Sequence, residues 1–217
     1  MQSVRLNKLV SLVPTCDVLA DVGCDHGYVG IQALRMGTAQ RVAFTDISQP
    51  SLDKAKRNCP QEFKKQVTFH CQDGLGALNV DCAIIAGMGG LEIISILQHA
   101  QYLPQKLVLQ PMRNQRDVRL FLTQKYEIAT DVKFFDGKFY DVMVAYKSDT
   151  PSTLTEQELD FGKSNLVNPT EDFVKFLQLE LTKLNKILEG TKDIEVTAKR
   201  NNVEQTLNQV LRKNKLD

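Results

Sequence analysis

No stretch of this 217-residue chain approaches the roughly 20 consecutive apolar residues that cross a bilayer, so no membrane partner is expected. A secretory core is missing too. The opening MQSVRLNKLVSLVP has periodic apolar residues interrupted by Arg5, Asn7 and Lys8, the pattern of a short amphipathic helix. Paired cysteines are absent: Cys16, Cys24, Cys59, Cys71 and Cys82 show no C-x-x-C spacing. An odd, scattered set argues against a disulfide frame or a zinc site and points to reduced thiols in the cytoplasm, with no metal. An excess of one charge is also absent. With 27 Lys+Arg against 26 Asp+Glu, the net +1 gives no global pull towards nucleic acid, so any basic face has to be local.

What is present is an ordinary globular balance, 42% hydrophobic and 24% charged, long enough for one well-cored domain plus a smaller appendage. Short apolar runs at Val18–Val22, Arg41–Thr45, Val67–Cys71, Cys82–Ala86 and Leu107–Leu109 alternate with helical patterns at Tyr28–Met36, Gln49–Asn58, Leu91–Ala100 and Asn114–Lys125. Such alternation predicts an α/β fold, a Rossmann-like parallel sheet with helices on both faces. Lys133-Phe134-Phe135, Asp136-Gly137 and Lys138 to Tyr146 then read as a β-hairpin, which would end the sheet in an antiparallel pair. After the polar stretch Ser148-Asp149-Thr150-Pro151-Ser152, Val174, Leu177, Leu181, Leu184 and Leu188 form a coiled-coil-like seam. Gly190 to Asp193 breaks it, and Val196, Val203, Leu207 and Val210 make a weaker second stripe. The expected division is 1–150 for the α/β domain and 151–217 for an α-helical hairpin.

The segment DVGCDHGYVG, residues 21 to 30, follows the first strand and opens a helix. Asp21-x-Gly23-x-x-x-Gly27 allows close backbone approach to a ligand, with helix N–H groups pointing at it. It is not G-x-G-x-x-G, and its acids would repel a diphosphate, so a dinucleotide is disfavoured. A cationic or zwitterionic ligand fits better: S-adenosylmethionine carries an ammonium, a sulfonium and ribose hydroxyls. Asp25 is read as the partner of the ammonium. Asp46, with Ile47 beside it, closes the second strand and suits the ribose; Asp73-Gly74 follows the third and suits the adenine amino group. Ala86 and Gly87, after the fourth strand, complete the expected donor wall.

The blocks ADVGCDHGY, IIAGMGG, LVLQPM and DGKFYDVMVAY resemble the bacterial tRNA (adenine-22 N1)-methyltransferases, the TrmK family, and the resemblance covers nearly the whole chain. It implies a class I methyltransferase domain that uses S-adenosylmethionine, with tRNA as substrate and methylation at N1 of adenine 22. Asp46 stands where relatives often carry Glu, and Met112 where they tend to carry Asn.

Enzymes that methylate an exocyclic amine commonly carry an N/D-P-P-Y/F turn after strand four; this chain has Ala86-Gly87-Met88-Gly89-Gly90. Carboxamide, carboxylate and aromatic are all missing there. Adenine N1 needs none of them, because its in-plane lone pair is already nucleophilic and no proton has to leave first. Alignment and exclusion of water can then supply roughly 7–11 kcal/mol. Gly89 and Gly90 would let a flat base slide against backbone. His26, Tyr28 and Met88 are the candidate residues beside the transferred methyl.

Holding RNA calls for cations. Arg113, Arg116 and Arg119 recur at spacing three after strand five, and Arg5 and Lys8 lie on the N-terminal helix. Lys199, Arg200 and the tail Arg212-Lys213-x-Lys215 add charge to the hairpin, which is read either as a second grip on tRNA or as a dimer seam, a monomer being favoured.

Overall fold

The computed structural model describes residues 4–213, so the last lysine of the basic tail, Lys215, lies outside the described residues. Helix α1 (Val4–Ser11) leads into β1 (Cys16–Val22), α2 (Tyr28–Met36), β2 (Ala39–Asp46), α3 (Gln49–Asn58) and β3 (Val67–Cys71). These are followed by β4 (Cys82–Met88), α4 (Gly90–His99), β5 (Lys106–Pro111) and α5 (Gln115–Leu122). Then come β6 (Tyr126–Asp136), β7 (Lys138–Lys147), α6 (Glu156–Phe161), α7 (Lys163–Val167), α8 (Glu171–Leu188) and α9 (Ile194–Lys213). Among the described residues, the strands form one sheet in the order β3-β2-β1-β4-β5-β7-β6. β1 to β5 run parallel, and β7 inserts antiparallel between β5 and β6.

Parallel strands are covered on both faces, which is why their sequences read as continuous apolar runs. One face of the sheet packs Leu9, Ile31, Phe44 and Leu52 from α1, α2, β2 and α3. The other packs Ile93, Leu97, Val118 and Leu122 from α4 and α5. Ser48 caps α3 by accepting from the Ser51 N–H, and Thr155 with Glu158 makes a reciprocal capping box on α6. The expected seam of α8 buries Leu177 and Leu184 against Val203, Leu207 and Val210 of α9. At a seam position of α9, Arg200 reaches Asn185 of α8 and Glu204.

Three elements depart from the expected pattern. β6 begins at Tyr126, well before the expected Lys133; upstream of Lys133 the buried polar Asp131 interrupts the apolar pattern of the strand. Helices α6 and α7 lie between the polar stretch and the seam of α8, where no separate element was expected, and they dock on α5 and β6. Between them Gly162 lies so close to Asp131 that a Cβ would fall 2.6 Å from its carboxylate.

The docking centres on Arg119, whose side chain is 1% exposed. Its Nε and Nη2 donate to the two oxygens of Asp131 at 2.7 and 3.0 Å, and Nη2 also reaches Asp141 at 3.1 Å. Nη1 donates to the carbonyls of Leu159 and Asp160. Lys133 neutralises the second oxygen of Asp141. Burial works against the charge on Arg119, but Asp131 and Asp141 together outweigh it and raise its pKa. Arg119 therefore does not belong to an RNA face. Arg116 is engaged as well, by Glu156 and Asp160 of α6, whose hydrogen bonds raise its pKa. The three-residue spacing did mark one helix face, but that face turns towards α6 and β6 rather than solvent; of the three arginines, Arg113 remains exposed, ahead of α5. Replacing Arg119 with Ala leaves two buried carboxylates with one remaining cation. We expect a loss on the order of 3–5 kcal/mol in urea unfolding of the full chain, and a loss below about 1 kcal/mol would contradict this role.

Candidate functional site

At the carboxyl edge of β1, β2, β3 and β4 lies a cleft of about 620 Å3. This is the edge where ligands of open α/β sheets bind. Gly23, Asp46, Ile47, Asp73, Gly74, Ala86, Gly87 and Met88 all line it, so eight of the sequence-derived site residues converge there.

The loop after β1 is built from backbone in the left-handed region at Gly23 (φ 64°), Asp25 (φ 42°) and Gly27 (φ 70°). At Gly23 a side chain is barred twice, by that φ and by Met88 Cε, with which a Cβ would collide. Beneath the loop, Asp21 is 6% exposed and accepts from the Gly30 N–H at 2.9 Å. Burial pushes its carboxyl up to about 7; the Gly30 hydrogen bond opposes the shift and the Asp46 charge adds to it. Asp21 supports the loop without lining the cleft.

Asp46 has a different environment. Its Oδ1 accepts from the Ser48 N–H at 2.9 Å and its Oδ2 from the Asp25 N–H at 3.1 Å. Two backbone amides thus fix the orientation of a carboxylate that still borders open space, an arrangement suited to accepting from paired hydroxyls.

Other expected residues point elsewhere. The Asp25 carboxylate turns away from the cleft to Lys54 (2.9 Å) and His26 (2.6 Å), and the Lys54 hydrogen bond leads in holding its pKa below the ordinary value. It is thereby engaged and does not stand over the cleft as a partner for a ligand ammonium. His26 and Tyr28 stack on each other with centroids 5.3 Å apart, His26 half-buried and Tyr28 exposed, both outside the cleft lining. Neither ring is among the residues that line the cleft with Met88. Gly27 is buried against Phe44 and Ala55, a packing position rather than a ligand contact.

Sequence reading missed the wall supplied by α4. Glu92, Ser95, Ile96 and His99 line the cleft at helical spacing, and Gln72 and Gly76 join from the loop after β3. Polar residues at i, i+3 and i+7 were the available signal, masked by the apolar Ile93, Ile94 and Leu97 between them. His99 Nδ1 lies 2.8 Å from the Ser95 carbonyl, so that nitrogen donates and Nε2 carries the lone pair when the ring is neutral.

The turn after β4 is fastened to the end of β5: Met112 N–H donates to the Met88 carbonyl at 2.8 Å and Gly90 N–H to the Arg113 carbonyl at 3.0 Å. Gly89 and Gly90 therefore lie against the Met112–Arg113 segment rather than in the cleft. Among the described residues, no group of three or more His, Cys, Asp or Glu could hold a metal ion, and no helix is long and apolar enough to cross a membrane.

With this geometry, comparison with known proteins is specific. A family model described as a methyltransferase domain matches residues 2–143. A Mycoplasma pneumoniae protein provisionally named a tRNA methyltransferase is 34% identical over 158 residues, covering 70% of this chain and 73% of the relative. The Bacillus subtilis tRNA (adenine(22)-N(1))-methyltransferase is 29% identical over 176 residues, covering 77% of this chain and 73% of that one. A Streptococcus pneumoniae protein provisionally described as a tRNA (m1A22) methyltransferase, crystallised with S-adenosyl-L-methionine, superposes with a TM-score of 0.84 at 25% identity, over 95% of this chain and all of its own. On the extent of the domain match and the identity to the Mycoplasma relative, the chain belongs to the methyltransferase-domain family, in the branch of the tRNA methyltransferases.

Proposed function

We propose that this chain transfers a methyl group from S-adenosylmethionine to N1 of an adenine in tRNA, position 22 as in the Bacillus relative. The observation that carries the reading is the meeting of two unlike surfaces at Gly87 and Met88. On one side is the cleft, with Asp46 and Asp73 on its rim; on the other is a glycine turn with exposed Arg113 beside it. The residues present fit the donor: Asp46, braced by two amides, suits ribose hydroxyls, Ser95 and His99 offer polar atoms on the α4 wall, and Gly23 permits close backbone approach. S-adenosylmethionine supplies an electrophilic methyl group when bound.

The chain's own part is alignment. The 86–90 turn holds no carboxamide, carboxylate or aromatic, so it has nothing with which to take a proton from an amine or clamp it. It presents backbone, with Met88 as an apolar wall that keeps water from the transfer site. Residues 1–150 carry this chemistry in our reading, and the helical hairpin of 151–217 serves as a second grip on the tRNA. Incubation with labelled donor and unmodified tRNA, followed by nucleoside analysis, should yield 1-methyladenosine. Label in another nucleoside would overturn the site of attack, and label in no RNA would overturn the substrate class.

Asp46→Ala should weaken donor binding by about 1.5–3 kcal/mol, the worth of hydrogen bonds to a charged group. Unchanged affinity in calorimetry would reduce Asp46 to a brace for the loop. Asp21 adds a pH dependence. Without donor, its raised pKa means that the folded protein keeps a proton that the unfolded chain releases, so its contribution to stability declines from about pH 4 up to about pH 7 and is level above. A cationic donor favours the ionised carboxyl and expels that proton, so donor affinity should rise between pH 6 and 8 by at most about tenfold per unit. Asp21→Asn should flatten the profile; identical profiles for the two proteins would exclude this coupling.

A further inference from the structure

The space beside two glycines of the strand-four turn is filled by arginines. A Cβ on Gly87 (φ 83°) would fall 2.9 Å from Arg5 Nη2, and one on Gly89 would fall 3.3 Å from Arg113 Nε. Two guanidinium groups therefore lie against one short turn, delivered from opposite directions. Arg113 comes from the segment between β5 and α5, and Arg5 from the first turn of α1.

Arg5 is held by its other atoms. Its Nε donates to Gln110 Oε1 at 2.7 Å, and Gln110 is fully buried. Its backbone N–H donates to Asp136 at 2.9 Å, and its guanidinium lies over the Tyr140 ring at 5.4 Å. Those contacts leave its outer nitrogens available. Among the described residues, nothing accepts a hydrogen bond from Nη1 or Nη2 of Arg5, or from the side chain of Arg113. Lys138 approaches the same Tyr140 ring, also at 5.4 Å, and adds a third cation nearby. Neither arginine lines the donor cleft, whose wall on this side ends at Gly87 and Met88.

We propose that Arg5 and Arg113 form an oxyanion-binding pair that holds a phosphodiester of the acceptor nucleotide across the 87–90 turn. The inference rests on the RNA-methyltransferase reading and extends it to a specific contact. Guanidinium forks match phosphate oxygens two at a time, and a fork fixed through Nε is already oriented for the task. Placing the cations against the sugar-phosphate chain rather than the base also suits N1 methylation, which leaves the base positively charged. Gly87 is then required, because a side chain there would collide with the Arg5 guanidinium at a left-handed φ, while one at 89 would press on the Arg113 guanidinium. The alternative ligand of the same chemistry is the carboxylate of the methyl donor, which the cleft lining argues against.

The test compares wild type with Arg5→Ala, Arg113→Ala and Arg5→Lys. S-adenosylhomocysteine affinity is measured by calorimetry, and tRNA binding is titrated at several salt concentrations alongside kcat and KM. Each alanine variant should keep its cofactor affinity within about twofold and lose tenfold or more in kcat/KM for tRNA. Its salt slope should fall by about 0.7, the share of one phosphate that the arginine no longer neutralises. Arg5→Lys, which retains charge but loses the Gln110 bond, should recover most of the slope. Loss of cofactor affinity with an unchanged slope would reassign the pair to the donor carboxylate and overturn the proposal. So would a fall in melting temperature and activity shared by Arg5→Lys and Arg5→Ala with slopes parallel to wild type, because Arg5 would then be a strut. A wild type that methylates no RNA would instead remove the underlying reading, an outcome distinct from an active wild type whose arginine variants are unchanged.

Discussion

A guanidinium whose donors make five hydrogen bonds, closed off from water, organises the second half of this protein. Arg119 ties α5 to β6 through Asp131, to β7 through Asp141, and to the end of α6 through two carbonyls. Hydrophobic contact alone is not directional and would tolerate several ways of laying the last two strands beside β5. A planar fork with fixed donor directions is selective. With Lys133 present, two cations face two carboxylates, so the cluster carries no net charge into the interior. β7 is thereby held between β5 and β6, and the β6–β7 tip extends about four residues past the end of β5, on the same edge as the cleft.

The division of charge around that edge follows from which elements reach it. Acids stand at the ends of β2 and just after β3, on the cleft side. Cations stand on α1, at the start of α5 and on the β6–β7 tip, on the far side of Gly87. On the proposed function, this field would sort a donor with a permanent positive charge from an acceptor with a phosphate chain before either makes a hydrogen bond. The glycine turn between the two halves carries no charge of its own, which suits it as the proposed meeting place of the reacting atoms.

The parallel half of the fold was legible because its strands are buried on both faces and appear as unbroken apolar runs, each followed by a polar or glycine-bearing turn. That register also brought Asp46 and Asp73 to one rim. The first half of β6 was hard to read because Asp131 occupies a buried position where an apolar residue would mark the strand. The arginines after β5 show a second limit: spacing of three places side chains on one helix face but does not say what the face meets. Asp25, His26 and Tyr28 show a third. Adjacency to Gly23 in sequence suggested adjacency to the ligand, yet none of the three lines the cleft: Asp25 pairs with Lys54 and His26, and the His26 and Tyr28 rings stack on each other. The α4 wall went unread because its polar residues alternate with the core of the helix.

The contact between Arg5 and the β6–β7 tip joins residues 131 positions apart. Every residue that lines the cleft falls between Val22 and His99, whereas the opposite face draws on Arg5, Gln110, Arg113, Asp136 and Tyr140. On a ribosome the two faces therefore become available in a fixed order. The cleft residues emerge together, while Arg5, made before them, waits for the tip that will position it. A nascent chain thus has all the lining residues of the cleft before it has the surface proposed to hold RNA.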